Sequence, residues 1–216
     1  MIKPINSEIE IINKFLSNDD NIKIQKWKSL NKYVELLLEY NEKYNLIGKN
    51  TIQNIWSRHI IDSIQLVKYV NDGDCDNILD LGSGAGLPII VLGIITQKPI
   101  IMVEKSPVKA QFLEKVCQEL DLKYEIFNES INQDNIKNLT KQNTIITSRA
   151  FKSVSFIMDL LQKCNQQNIS KILLLKGQKW QEEIDECKNK DKTFIQKWKY
   201  QNYDSILNEG VVLEIM

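Results

Sequence analysis

The chain has 216 residues, with 28 Lys+Arg against 28 Asp+Glu, so its formal net charge is zero, and 43% of it is hydrophobic. Length and composition suit a globular domain with a sizeable core and exclude disordered, collagenous and disulfide-scaffold chains. A zero sum also speaks against a polyanionic partner, which usually calls for a basic excess.

In chain order, Ser7 is placed to cap a short helix that aligns Ile9, Ile12, Phe15 and Leu16. A longer helix is expected from Ile24 to Tyr44, where Trp27, Leu30, Tyr33, Val34, Leu37 and Leu38 recur at helical spacing and read as core. A third is expected from Ile52 to Val70. It carries Trp56, His59, Ile60 and Ser63 on one face and Arg58 on another, with Asp62 spaced to clamp Arg58. Asn71-Asp72-Gly73-Asp74 then breaks the pattern and divides a helical extension, 1–73, from a main domain, 74–216.

Beyond that boundary, short apolar runs alternate with amphipathic segments. Strands are expected at Asn77–Leu81, Ile100–Glu104, Lys123–Phe127, Thr144–Ser148 and Lys171–Leu175, and helices at Leu87–Thr96, Ser106–Leu120, Ser153–Gln166 and Lys179–Lys190. Thr193–Gln201 and Val211–Ile215 read as a closing pair of strands. Such alternation predicts an α/β fold with a parallel sheet covered on both faces. The longest apolar stretches are far shorter than the roughly 20 residues of a membrane helix. Glu8 and Glu10 stand where a signal peptide would be apolar, so a cytoplasmic protein is expected. Cys75, Cys117, Cys164 and Cys187 form no close pair and are expected to be reduced structural thiols, with no metal site. With one histidine, His59, and two arginines, Arg58 and Arg149, mechanisms built on histidine clusters or several arginine clamps have no residues to use.

The most informative stretch is Ile78–Pro88, where an apolar strand carrying Asp80 runs into glycines at 82, 84 and 86 before a helix. Glycine suits a tight turn or a close backbone approach to a ligand, and the carboxyl end of a strand is where open α/β sheets bind ligands. A dinucleotide fingerprint would need its third glycine at position 87, which is Leu87. Glu104 ends the next strand 22 residues after Gly82, where a carboxylate can accept ribose hydroxyls from either class of nucleoside cofactor. The spacing G-x-G-x-G after an acidic residue resembles motif I of the S-adenosylmethionine-dependent methyltransferases.

More specifically, the sequence resembles the RsmG/GidB-type guanine-N7 methyltransferases of small-subunit (16S) rRNA. The resemblance lies in Tyr44-Asn45-Leu46, Arg58-His59-Ile60-Ile61-Asp62-Ser63, Asp80–Pro88, Ser148-Arg149-Ala150-Phe151 and Leu175-Lys176-Gly177-Gln178, in that order. It implies a class I, Rossmann-like methyltransferase with a seven-stranded, mostly parallel sheet and an N-terminal helical extension. It implies S-adenosylmethionine as cofactor, held by Asp80, Gly82, Gly84, Gly86, Leu87 and Glu104, with Ser130 and Ile131 beside the adenine and Arg149 near both cofactor and guanine. Many family members have a basic residue before that adenine pair; here it is Glu129. Arg58, His59, Arg149 and Lys176 are the expected contacts to 16S rRNA, His59 also reading as a hydrogen-bonded packing residue. No residue is expected to act as acid or base, because guanine N7 has a free lone pair and carries no proton. A monomer acting on the small ribosomal subunit or its precursor is expected. The alternatives are a methyltransferase for another RNA, a protein or a small molecule, and an rRNA-binding assembly factor without turnover.

The charge balance hides a strong asymmetry. Lys137–Lys179 holds eight basic residues (137, 141, 149, 152, 163, 171, 176 and 179) against one acid, Asp159, a net +7. Asp72, Asp74, Asp76 and Asp80 offset it, as does the acidic stretch Gln181–Asp191. A basic RNA-facing side is therefore compatible with overall neutrality.

Overall fold

The computed structural model describes residues 2–72, 75–191, 198–207 and 210–216. The expected boundary glycine, Gly73, lies outside the described residues, as does most of the expected strand Thr193–Gln201. The chain opens with α1 (Asn6–Asn13) and α2 (Asp20–Tyr44). Ser7 lies inside α1 and does not cap it; Glu8 reaches back to accept the Ile5 N–H at 2.9 Å. α2 begins four residues before Ile24, because Asp19 Oδ1 accepts the N–H groups of Asn21 (2.9 Å) and Ile22 (3.1 Å).

The expected helix Ile52–Val70 is broken into pieces. A 3₁₀ segment (Lys49–Asn54) leads into a π-helical turn (Trp56–Ile61), followed by α3 (Asp62–Ile64) and α4 (Val67–Asn71). Local side chains compete for its backbone acceptors: Ser63 Oγ donates to the His59 carbonyl at 2.6 Å and Gln65 Nε2 to the Asp62 carbonyl at 2.9 Å. The wider turn buries Ile61 along with the expected Trp56, His59 and Ile60, an addition that an even 3.6-residue period does not anticipate.

The remaining elements are β1 (Asn77–Leu81), α5 (Ile89–Thr96), β2 (Ile100–Val103), α6 (Pro107–Glu119), β3 (Tyr124–Phe127), the unanticipated short α7 (Ile136–Leu139), β4 (Thr144–Arg149), α8 (Val154–Leu161), β5 (Ile169–Lys176), α9 (Trp180–Lys190), β6 (Tyr200–Asp204) and β7 (Val211–Ile215). They build one seven-stranded sheet in the order β3-β2-β1-β4-β5-β7-β6. β7 runs antiparallel to both of its neighbours, and the other pairs are parallel. Alternate strand residues feed two cores: Ile78, Ile100, Met102 and Ile145 pack with α2, α5 and α6, whereas Leu79, Ile101, Val103 and Ile146 pack with α8. The four cysteines are buried and free. The chain winds from β1 outward to β3 and resumes at β4 on the other side, so the order reverses between β1 and β4 and leaves a crevice at their carboxyl ends.

Candidate functional site

A cleft of about 670 Å³ occupies that crevice, within the usual range for a small-molecule site. Of the residues singled out in the sequence, Gly82, Gly84, Leu87, Glu104, Ser130, Ile131, His59 and Arg149 line it. Glu104 is buried and held from both sides, Oε2 accepting the Gly84 N–H at 2.9 Å and Oε1 the Ser106 N–H at 2.7 Å. Ser106 thus stands at the start of α6 without capping it through its side chain. Gly84 has φ +55, and a Cβ there would meet only the Gly82 carbonyl at 3.7 Å.

Two of the expected cofactor residues stand behind the cleft and do not line it. Asp80 is 1% exposed; Oδ1 accepts from Thr147 Oγ1 at 2.7 Å, while the buried Oδ2 has no partner. Burial raises its pKa to about 7, despite the Thr147 hydrogen bond. Gly86 serves packing: a Cβ would lie 2.5 Å from Ile90 Cγ1 and 3.0 Å from Leu113 Cδ2, so its bare Cα lets the turn pack against α5 and α6. The Tyr33 hydroxyl of α2 donates to the Ala85 carbonyl at 2.7 Å, fixing the turn from the helical segment.

Arg149, at the end of β4, meets the π-helical turn. Nη1 contacts Asp62 Oδ2 at 3.1 Å and the Arg58 carbonyl at 3.2 Å, and Nη2 lies 2.8 Å from His59 Nδ1. Since a guanidinium can only donate, Nδ1 must accept, and His59 is the neutral tautomer with its proton on Nε2. Nε2 donates to Thr51 Oγ1 at 2.8 Å, and Thr51 donates to the Gly48 carbonyl at 2.7 Å. Burial and the neighbouring Arg149 and Arg58 lower the His59 pKa to about 3. Both ring nitrogens are thus committed within the protein, and Asp62 pairs with Arg149.

Arg58 and Lys176 lie outside the first cleft, in a second one of about 580 Å³ that shares His59, Arg149, Ala150, Phe151 and Lys152 with it. Arg58 and His59 both line this second cleft, although a regular helix would set them on different faces. Lys176 Nζ is turned inward, donating to Glu183 Oε2 at 2.8 Å and the Lys152 carbonyl at 2.7 Å. Much of the basic segment is similarly neutralised: Lys141 pairs with Glu125, Lys163 with Asp134 and Lys171 with Glu214.

Sequence reasoning did not single out Leu46, Ile47 and Gly48, Phe151 or Phe156 as cleft residues. Tyr44-Asn45-Leu46 and Ser148-Arg149-Ala150-Phe151 were the available signals. Among the described residues, no group of three His, Cys, Asp or Glu is placed to hold a metal ion, and no helix is long and apolar enough to cross a membrane.

The sheet order, the antiparallel β7 and the glycine turn at the end of β1 define the class I S-adenosylmethionine-dependent methyltransferase fold. Solved structures sharing it include a human methyltransferase 10 domain containing protein (TM-score 0.52, 12% identity, covering 71% of this chain and 78% of that one). A putative rRNA-methylase from Clostridium thermocellum also shares it (TM-score 0.52, 13% identity, covering 68% and 90%). The chain belongs to the GidB family, rRNA small subunit methyltransferase G, whose model matches residues 26–210. It is 36% identical to the ribosomal RNA small subunit methyltransferase G of Orientia tsutsugamushi (strain Ikeda), over 96% of this chain and 98% of that protein. It is also 36% identical to the protein of that name from Rickettsia bellii (strain OSU 85-389), over 73% and 78%.

Proposed function

We propose that this chain transfers a methyl group from S-adenosylmethionine to N7 of a guanine in the 16S rRNA of the small ribosomal subunit. The observation that carries the reading is the turn after β1: a buried carboxylate with one unpaired oxygen, Asp80, behind a glycine turn open at Gly84, beside a second carboxylate already oriented by two N–H groups. These residues fit the cofactor. Asp80, which burial keeps protonated up to about pH 7, would give up that proton beside the cofactor's ammonium group and supply its countercharge, and Glu104 would accept ribose hydroxyls with the lone pairs its backbone donors leave free. Gly82, Gly84 and Leu87 would lie along it, with Ser130 and Ile131 toward the adenine. Gly86 acts indirectly, through packing.

When bound, S-adenosylmethionine supplies a methyl group on a positively charged sulfur that departs as a neutral thioether. The chain's own work is alignment of nucleophile, methyl carbon and leaving sulfur, which in well-oriented systems is worth about 7–11 kcal/mol. N7 attacks with its own lone pair, so no proton has to be removed, in keeping with a neutral His59 whose nitrogens are both engaged. The purine becomes cationic as the bond forms. Asp62 beside Arg149 offsets the nearby guanidinium charge, so Arg149 can steady the base or its phosphate without opposing that development. Residues 1–73 would serve as an extension bracing the cofactor turn of 74–216 through Tyr33.

The test is transfer of labelled methyl to unmodified small-subunit rRNA, followed by reductive strand cleavage specific for N7-methylguanine. Label in rRNA and a single cleavage site are expected. Label on another RNA, a protein or a metabolite overturns the substrate, and rRNA binding without label overturns the enzyme.

A further inference from the structure

We infer that Phe151 and Phe156, at the junction of the two clefts, form a stacking site for an RNA nucleobase drawn out of its helix toward the cofactor turn; the inference rests on the rRNA reading above. The two rings lie 6.1 Å apart at 76°, an edge-to-face pair, and both line the first cleft. Phe151 also lines the second, so its ring stands on the path between them.

Phe151 packs against the second core and over Gly82, where a Cβ would lie 2.3 Å from its ring, whereas packing does not account for the placement of Phe156. Along α8, Val154, Ser155, Ile157, Met158, Leu160 and Leu161 are buried, while Phe156 is 40% exposed. An aromatic ring left in water there does little for the core, yet it is the cleft-facing position of the helix. Phe151 follows Ala150, a non-glycine residue at φ 52, a left-handed conformation that costs roughly 1–2 kcal/mol. That kink follows the end of β4, and both Arg149 and Phe151 line both clefts. Backbone strain of this kind persists where the surrounding structure imposes it, commonly at ligand sites.

The chemistry of the occupant follows from the surroundings. Phe156 is exposed, and Lys152 Nζ lies 5.5 Å over its ring, which therefore sits beside a positive charge. A planar heterocycle on a phosphate backbone satisfies both: the base takes the ring face and Lys152 moves to the phosphate. An aliphatic group would satisfy the ring but not the cation. Arg149, anchored by Asp62 and His59, stands beside the pair and can address the edge of the stacked base.

The experiment compares Phe156→Leu, which keeps an apolar side chain without a π-face, with Phe156→Tyr, which keeps the face. Three quantities are read for each: affinity for small-subunit rRNA, kcat/KM for its methylation, and cofactor affinity. Loss of one base–aromatic stack predicts that Phe156→Leu lowers rRNA affinity and kcat/KM by between about 5- and 100-fold. Phe156→Tyr should stay near wild type, and cofactor affinity should hold in both. Leu at wild-type level, or Tyr as impaired as Leu, overturns the stacking site. Phe151→Leu and Phe151→Tyr should rank in the same order. If wild-type protein methylates rRNA and Phe156→Leu does so equally, the stacking site falls and the enzyme reading stands. If rRNA binding depends on Phe156 but no methyl is transferred, the enzyme reading falls and the stacking site stands. A protein that binds no rRNA overturns both.

Discussion

Asp80 and His59 titrate in opposite directions and should leave a legible record in stability. The Asp80 carboxyl is raised from 3.8 to about 7, so the folded state holds a proton that the unfolded chain has released; its stabilisation is complete below pH 3.8 and is lost as pH rises through about 7. His59 is lowered from 6.5 to about 3, so the unfolded chain takes up a proton that the folded state refuses; its stabilisation is complete above 6.5 and is lost as pH falls toward 3. Within the shared window, from about pH 4 to 6.5, the two slopes oppose each other. Urea midpoints measured across it should rise more steeply with pH in Asp80→Asn than in wild type. In His59→Gln they should turn downward as pH rises. The glycines part company at the same scale. Gly86→Ala drives a Cβ into Ile90 and Leu113 and should destabilise by about 2 kcal/mol or more. Gly84→Ala should melt only a few degrees lower while losing most cofactor affinity, as calorimetric titration would read.

At the scale of elements, the expected β1 has its observed ends and β2 to β5 agree within a residue or two; β1, β2, β4 and β5 are largely buried and carry apolar runs, whereas the edge strand β3 is only partly buried. The expected helix Ile52–Val70 breaks up because Ser63, Gln65 and Thr51 bond to particular backbone or histidine atoms, contacts with no periodic signature. The site was legible in the same uneven way. Spacing exposed the glycine turn and Glu104, whereas Phe151 and Phe156 acquire their cleft position only when β4 and α8 are assembled against the turn. The antiparallel β7 is tied to β5 by a buried ion pair, Lys171 Nζ to Glu214 Oε1 at 3.1 Å, with Lys171 also donating to the Asp72 carbonyl. Lys171→Met alone strands a buried carboxylate and should cost about 3–5 kcal/mol by denaturant titration. Adding Glu214→Leu should recover most of that loss.

Over the whole molecule, the charge sum and the segment sum both mislead, the first by hiding a basic stretch and the second by ignoring its partners. Lys141, Arg149, Lys163, Lys171 and Lys176 already face carboxylates, so few cations are left to displace counterions from RNA. With about three phosphate contacts, the logarithm of rRNA affinity should fall against that of salt with a slope of about −2 to −3. A slope near −6 would mean that the internal pairs open on binding. The Tyr33–Ala85 hydrogen bond has a consequence for how this protein reports occupancy. Because the Tyr33 hydroxyl, beside the core packing of α2 on α5 and α6, ties a 25-residue helix to the turn that would receive the cofactor, binding and helix docking are thermodynamically reciprocal. Saturating S-adenosylmethionine should therefore slow amide hydrogen exchange along the middle of α2, well away from the bound molecule, and Tyr33→Phe should reduce that remote protection while the amides of the glycine turn remain protected.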